Sequence, residues 1–334
     1  MKDPQISIVI PCYNEEKTIQ ALLEAIHGQT VPLDELEVII ADGFSTDNTR
    51  ERIQEFKTAH PELRIQVIDN EKKVIPAGLN LAIRAARGEI IVRMDAHAVP
   101  ALDYIERSIA ALKAGLGDNI GGVIDIHPGS DNWIARSIAI ATAHPLGVGD
   151  AKYRWAKTAG ESDTVAFGCY YKSTIERVGY FNESLFVNED YEFNARLREM
   201  GYKVWVDPAI RAVYYSRPSL RSLARQYFTY GFWKVRMLRL YPRTLRWRQA
   251  LPPLFVLWLL MLLLVSIFWI PALWVLLGTV VLYCLVLVIG SMNQALRQNG
   301  RKLLCGVPIA IMTMHLSWGS GFWISLFRPS HSGK

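Results

Sequence analysis

Two side chains able to ligate a metal, Asp95 and His97, stand two positions apart where the apolar run Ile90–Met94 gives way to "DAHAVP". On a turn, a carboxylate and an imidazole at that spacing can face one point and hold a divalent cation that carries a phosphate-bearing ligand. The imidazole nitrogen makes Mn2+ the better choice, with Mg2+ still open. Taken alone, the pair is explained equally well by an Asp that starts a turn beside a polar loop histidine. A second apolar run ends at Asp42, whose carboxylate can accept a nucleobase N–H. A third ends in "PCYNEE", where Tyr13 can stack on a base and Glu15 can reach a ribose hydroxyl. A plain turn or a helix start accounts for each of these residues singly, but not for three runs that all end in this way. "NED" adds Glu189 and Asp190 in the first turn of a predicted helix, where the dipole favours ionised carboxylates and where acids are also common for stability alone.

The elements that must position these residues follow from periodicity. Short apolar runs at Ile6–Ile10, Glu37–Ala41, Ile65–Ile68 and Ile90–Met94 read as strands. Helical patterns alternate with them. "NEEKTIQALLEAIHG" puts Ile19, Leu22, Leu23 and Ile26 on one face, with Asn14 as N-cap and Gly28 as stop. "TDNTRERIQEF" takes Thr46 or Asp47 as cap, and "IPAGLNLAIRAARG" has Pro76 in a first turn and Gly88 past its end. This alternation predicts an α/β, parallel, doubly wound sheet, whose ligands bind beyond the carboxyl ends of the strands. Further on, "GGVIDI" and "VAFGCYY" read as strands. "NEDYEFNARLREMGYKVWV" reads as a helix with Phe193, Leu197 and Met200 inward, Gly201 as stop, and a strand after it.

Composition bounds the rest. The 334 residues are 51% hydrophobic, and the apolar residues collect late: Gln249–Leu296 and Leu303–Phe327 hold no Asp, Glu, Lys or Arg. About 20 apolar residues cross a bilayer, so helices are expected near Leu251–Ile270, Ala272–Met292 and Leu303–Phe327. Gly319 and Gly321 leave open whether the third spans or re-enters. The net charge of +6 divides sharply: all 31 acids lie before Pro208, giving −9 there and +15 beyond. Ten basic residues fall between Arg211 and Arg248, beside the apolar run. An anionic lipid surface is their expected partner rather than nucleic acid. The four cysteines form no CxxC pair, no secretory signal is visible, and no GxGxxG follows the first strand, which argues against an NAD role.

"ISIVIPCYNEEKTI", "EVIIADGFSTDNT", "GEIIVRMDAHA" and "GCYYKSTIERVGYFNESLFVNEDYEFNARLREMGY", with the C-terminal spans, resemble family 2 glycosyltransferases of the GT-A fold, in particular membrane-associated exopolysaccharide enzymes of the succinoglycan type. The resemblance implies a GT-A domain over 1–217, a basic, aromatic interfacial segment over 218–248, and a membrane domain of two to three helices over 249–334. It implies that Pro11, Tyr13, Glu15, Asp42 and Asp95 bind a nucleotide sugar, expected to be UDP-linked. Asp95 and His97 take the place of the family's Asp-x-Asp metal motif, with His97 where a second carboxylate is usual, so Mn2+ and Mg2+ both stay open. Asp190 takes the place of the catalytic base, with Glu189 beside it.

Gln226, Tyr230 and Trp233 lie in the interfacial segment and are expected to meet the acceptor. The Gln-x-x-Arg-Trp motif of processive synthases is not matched, since Thr229 follows Gln226 by three and Trp233 comes later. One sugar is therefore expected to pass to a lipid-linked, polyprenyl acceptor, with inversion. The alternatives are transfer to polyprenyl phosphate itself, or a silent nucleotide-sugar-binding membrane protein. Basic residues before the first helix and in "RQNGRK" place both on the cytosolic side. The expected setting is the cell inner membrane, multi-pass, with a cytoplasmic catalytic domain.

Overall fold

The computed structural model describes residues 3–298 and 300–328, which form two compact units. The first comprises Met1–Asp125 and Ala151–Tyr214, and the second Ile126–Asp150 and Tyr215–Lys334.

The first unit opens as β1 (Ile6–Cys12), α1 (Ile19–His27), β2 (Leu36–Asp42), α2 (Thr49–Ala59), β3 (Arg64–Asp69), α3 (Ile75–Ala85) and β4 (Ile90–Arg93). The four strands pair in parallel, in the order β3-β2-β1-β4. Period-2 alternation sends their side chains to two cores. Ile6, Ile8 and Ile10 meet Leu22, Leu23 and Ile26 of α1 on one face. Val9, Ile39 and Ile91 meet Leu79 and Ile83 of α3 on the other. Helices therefore cover both faces, as the alternation of elements requires.

Beyond β4 the sheet departs from the all-parallel expectation. β5 (Ala98–Pro100), α4 (Tyr104–Lys113) and β6 (Asn119–His127) follow. In the second unit come α5 (Trp133–Ala143) and α6 (Pro145–Val148); back in the first are β7 (Gly160–Glu161), β8 (Ala166–Tyr171), α7 (Lys172–Val178) and α8 (Glu189–Glu199), and then β9 (Val204–Tyr215). The order continues β4-β8-β6-β9-β5, with β7 on β9. The pairs β4/β8, β6/β8, β5/β9 and β7/β9 are all antiparallel, so the sheet is mixed.

Two local expectations are corrected. Asn14 does not cap α1, which starts after Thr18; Asn14 takes φ +55° and its Oδ1 accepts from the Thr46 backbone N–H at 2.8 Å. Its side chain fastens one loop to the next instead. Met200 is 52% exposed, because α8 ends at Glu199 and Gly201, at φ +85°, turns the chain away. Phe193 and Leu197 are buried as expected.

The second unit continues with α9 (Leu220–Leu240), α10 (Trp247–Ser266), α11 (Ile270–Arg297) and α12 (Leu303–Phe327). The last three are long and apolar enough to cross a membrane. Trp274, Leu282 and Ile289 of α11 are all more than 60% exposed, which suits a lipid-facing surface. Gly319 and Gly321 lie within α12, which is one helix of 25 residues. A Cβ on Gly321 would stand 2.1 Å from the Phe228 carbonyl oxygen, and one on Gly231 of α9 would stand 2.1 Å from that of Trp318. Glycine here lets two helix backbones touch, the small-residue contact that packs membrane helices.

Candidate active site

β1, β2 and β3 end level, with Cys12 opposite Asp42 and Asp42 opposite Asp69. The loops that leave them hold unusual backbone: Asn14, Phe44 and Lys73 all take positive φ. Outside glycine such values are uncommon and persist where the surroundings fix them. Pro11 lies beyond the last β1/β4 pair, Val9 with Arg93, so its missing N–H costs no ladder bond on that side. Tyr13 is half exposed beside Gly43.

Asp42 is fully buried and fully engaged. Its Oδ1 accepts from Ser45 Oγ at 2.5 Å, and its Oδ2 from the Ser45 N–H at 3.0 Å and Arg50 Nε at 2.6 Å. Arg50 Nη2 then reaches Asp69 at 2.6 Å, so one guanidinium ties the ends of β2 and β3 together. Burial, with the charge of Asp42 next, pushes the Cys12 thiol well above its ordinary range, so Cys12 is no thiolate nucleophile.

The end of β4 is built differently. Arg93 is buried, and its Nη2 donates to Asp95 Oδ1 at 3.2 Å and to Glu189 Oε1 at 3.1 Å. Its Nε and Nη1 have no hydrogen-bond partner among the described residues. Burial alone would lower the Arg93 pKa, but the charges of Asp95, Glu189 and Asp190 overcome it and hold the cation firmly protonated. Burial, then the charge of Asp190, push Glu189 up to about 7 against the pull of Arg93. Asn188, at φ +68°, turns the chain into α8 just before the two acids. Asp190 is partly exposed, and its Oδ1 accepts from the Tyr191 N–H at 2.6 Å.

His97 Nδ1 lies 3.1 Å from Glu15 Oε1, and its ring is 5.6 Å from that of Tyr214. Glu15 Oε2 accepts from Thr18 Oγ1 at 2.5 Å. The fold thus brings Glu15 to His97, and Asp95 to Glu189 and Asp190. Gln226, Tyr230 and Trp233 lie on α9 in the second unit, where Gln226 Nε2 donates to Tyr230 Oη at 2.9 Å and Arg236 covers the Trp233 ring at 4.6 Å. Sequence reasoning missed Arg93 and Arg50. The one signal for Arg93 was a cation inside an otherwise apolar strand.

A mixed sheet with a carboxylate cluster at its parallel strand ends is the frame of GT-A enzymes, and the comparisons agree. The model for "Glycosyl transferase family 2" matches residues 7–197. "Succinoglycan biosynthesis protein ExoA" of Rhizobium meliloti is 32% identical over 96% of this chain and 94% of its own. A Methanococcus voltae protein, "Dolichyl N-acetyl-alpha-D-glucosaminyl phosphate 3-beta-D-2,3-diacetamido-2,3-dideoxy-beta-D-glucuronosyltransferase", is 28% identical over 98% of this chain and 99% of its own. Among solved structures, the mannosyltransferase PcManGT of Pyrobaculum calidifontis, in complex with GDP-Man and Mn2+, superposes with a TM-score of 0.62 at 18% identity, over 98% of this chain and 88% of that one. The chain belongs to glycosyl transferase family 2 and is a glycosyltransferase.

Proposed function

We propose that the chain moves a single sugar, with inversion, from a UDP-sugar to a lipid-linked acceptor at a membrane surface, in the assembly of an exopolysaccharide or another cell-surface glycan. The observation that carries this reading is the Arg93 guanidinium, which joins Asp95 to Glu189 and so sets the strand-end acid beside Asp190.

In this reading Tyr13 and Glu15 hold the nucleoside, Asp42 fixes the neighbouring loop through Ser45 and Arg50, and Pro11 shapes the loop that carries Tyr13. Asp95 and His97 would hold a divalent cation of the Mn2+ or Mg2+ type. The donor set fits: both are partly exposed, at 29% and 37%, and two protein ligands suit a cation that completes its shell with phosphate and water. When bound, such an ion neutralises the pyrophosphate leaving group. Asp190 takes the proton of the acceptor hydroxyl as that oxygen bonds to the anomeric carbon, while the bond from that carbon to the diphosphate breaks and its electron pair leaves with the nucleotide. Arg93 fixes Asp95 and Glu189 in place.

The lipid-linked acceptor is supported by the three apolar helices and by the name of the Methanococcus relative, which specifies a dolichyl-phosphate-linked sugar. Gln226, Tyr230 and Trp233 are assigned to the lipid portion of the acceptor, and the first unit to the cytoplasmic face of the inner membrane. Full-length protein in detergent, given labelled nucleotide sugars, Mn2+ and lipid extract, tests this. Transfer from a UDP-sugar to a pyrophosphate-linked glycan is expected. Transfer only to bare polyprenyl phosphate replaces the acceptor assignment, and use of GDP-sugars alone removes the UDP one.

A further inference from the structure

The chemistry above uses nothing at the far ends of α1 and α2. There His27 closes the last turn of α1, His60 forms the C-cap of α2, and Glu62 follows two residues on. One donor atom from each of the three lies within 4.8 Å of the other two. Glu62 Oε1 is 2.7 Å from His27 Nε2 and 3.3 Å from His60 Nδ1. The two imidazole centroids are 4.4 Å apart, and the Phe56 ring packs 4.4 Å from that of His60, giving the cluster an apolar backing.

We propose that His27, His60 and Glu62 form a second metal site, for a borderline transition-metal dication of the Zn2+ type, which clips the C-terminal end of α1 to that of α2. Two imidazoles and a carboxylate are a zinc donor set, whereas Mg2+ and Ca2+ prefer all-oxygen shells. Bonds of about 2.0–2.2 Å in a tetrahedron put donors about 3.4 Å apart. The His60–Glu62 distance already has this value, and the shorter His27–Glu62 contact widens as the ion replaces a shared proton. Glu62, 48% exposed, has room to move, and solvent supplies the fourth position. Exposed ion pairs stabilise little, so pairing with Glu62 gives scant reason for two histidines to converge on one oxygen.

α1 has 9 residues and α2 has 11. At about 1.5 Å per residue the site stands roughly 14–17 Å from the loops at their N-terminal ends. Its role is structural: loading it raises thermal stability and leaves transfer unchanged.

The test uses full-length protein in detergent, stripped with EDTA and titrated with Co2+ or Zn2+ alone. Because Asp95 and His97 also take cations, His27→Ala and His60→Ala are compared with His97→Ala. Wild type and His97→Ala are expected to show the visible bands of tetrahedral Co2+, displaced by Zn2+, and a Zn2+-dependent rise in Tm. His27→Ala and His60→Ala should lose both, with binding at this site weakened at least about tenfold. Both histidines are about a third exposed, so their variants keep the fold; His60→Gln repeats the test should His60→Ala unfold. Bands that persist in both variants, bands that vanish only in His97→Ala, or no binding in wild type would each overturn the proposal.

Discussion

Two arginine-centred clusters at one sheet edge use the same ingredients to opposite ends. Around Asp42, a fully buried carboxylate receives two neutral donors from Ser45 and one charged donor from Arg50, which is itself 39% exposed. Every demand of the buried group is met, and water shares the cation. Around Arg93 the cation is the buried partner, with 6% of its side chain exposed, and it faces Asp95, Glu189 and Asp190. One positive charge faces three acids, and burial first, then the charge of Asp190, makes Glu189 hold its proton up to about pH 7. A saturated cluster fixes a loop, whereas an unsaturated one is poised to take up a cation or a proton. Such unbalanced sites are where chemistry is placed.

The largest expected effect breaks the second cluster at its reactive end. Asp190→Asn keeps shape and hydrogen bonding but removes the base, so kcat for sugar transfer should fall by about 10²–10⁴ with donor affinity retained. Steady-state transfer with labelled donor and calorimetric donor binding together check this, and a near-normal kcat would remove Asp190 from the role of base.

Next comes the contrast between the two arginines. Arg93→Met leaves buried acids without their cation and should cost about 3–5 kcal/mol of stability. Arg50→Met leaves Asp42 with both Ser45 donors and should cost about 1–3 kcal/mol. Thermal unfolding of both variants in detergent measures the difference, and equal losses would mean that the two clusters do not differ in this way.

Half of this arrangement was legible from sequence. Asp42 and Asp95 end apolar runs, and a parallel sheet sends such ends to one edge. Apolar spacing likewise placed α1 and α3 and put Phe193 and Leu197 in the core. Arg93 was not legible as a hub, because its partner Glu189 lies 96 positions away and no local pattern links them. Nor was Arg50, which reads as the solvent face of a helix. The antiparallel half of the sheet depends on long-range pairing that periodicity cannot report. Gly319 and Gly321 leave the course of the last helix open in the sequence because their neighbours, α9 and α10, come from earlier in the chain.

The two clusters also differ in how they respond to pH. The Glu189 pKa is 4.5 by default and about 7 in the folded protein. Between those values the folded chain binds more protons than the unfolded chain, so stability falls as pH rises and levels off above about 7. The shift corresponds to roughly 3 kcal/mol across the window. Glu189→Gln should flatten this slope, read as Tm from about pH 5 to 8, while wild type and Ser45→Ala keep it.

Ser45→Ala carries the smallest effect and bears most directly on the saturated cluster. The Ser45 N–H and Arg50 Nε both remain on Asp42 Oδ2, while Oδ1 loses the hydroxyl 2.5 Å away. One hydrogen bond to a buried carboxylate is removed from a set of three, so the cost should be about 1 kcal/mol. The same Oγ accepts from the Asn14 N–H at 2.8 Å, which ties the loop after β1 to the loop after β2. Losing it frees the backbone beside Tyr13, so donor affinity should drop a few-fold while kcat for bound donor stays put. Calorimetry with the donor, set against single-turnover transfer, separates the two. A fall in kcat with affinity unchanged would mean that this cluster, too, takes part in the chemistry, and the division between a fixing cluster and a reacting one would not hold.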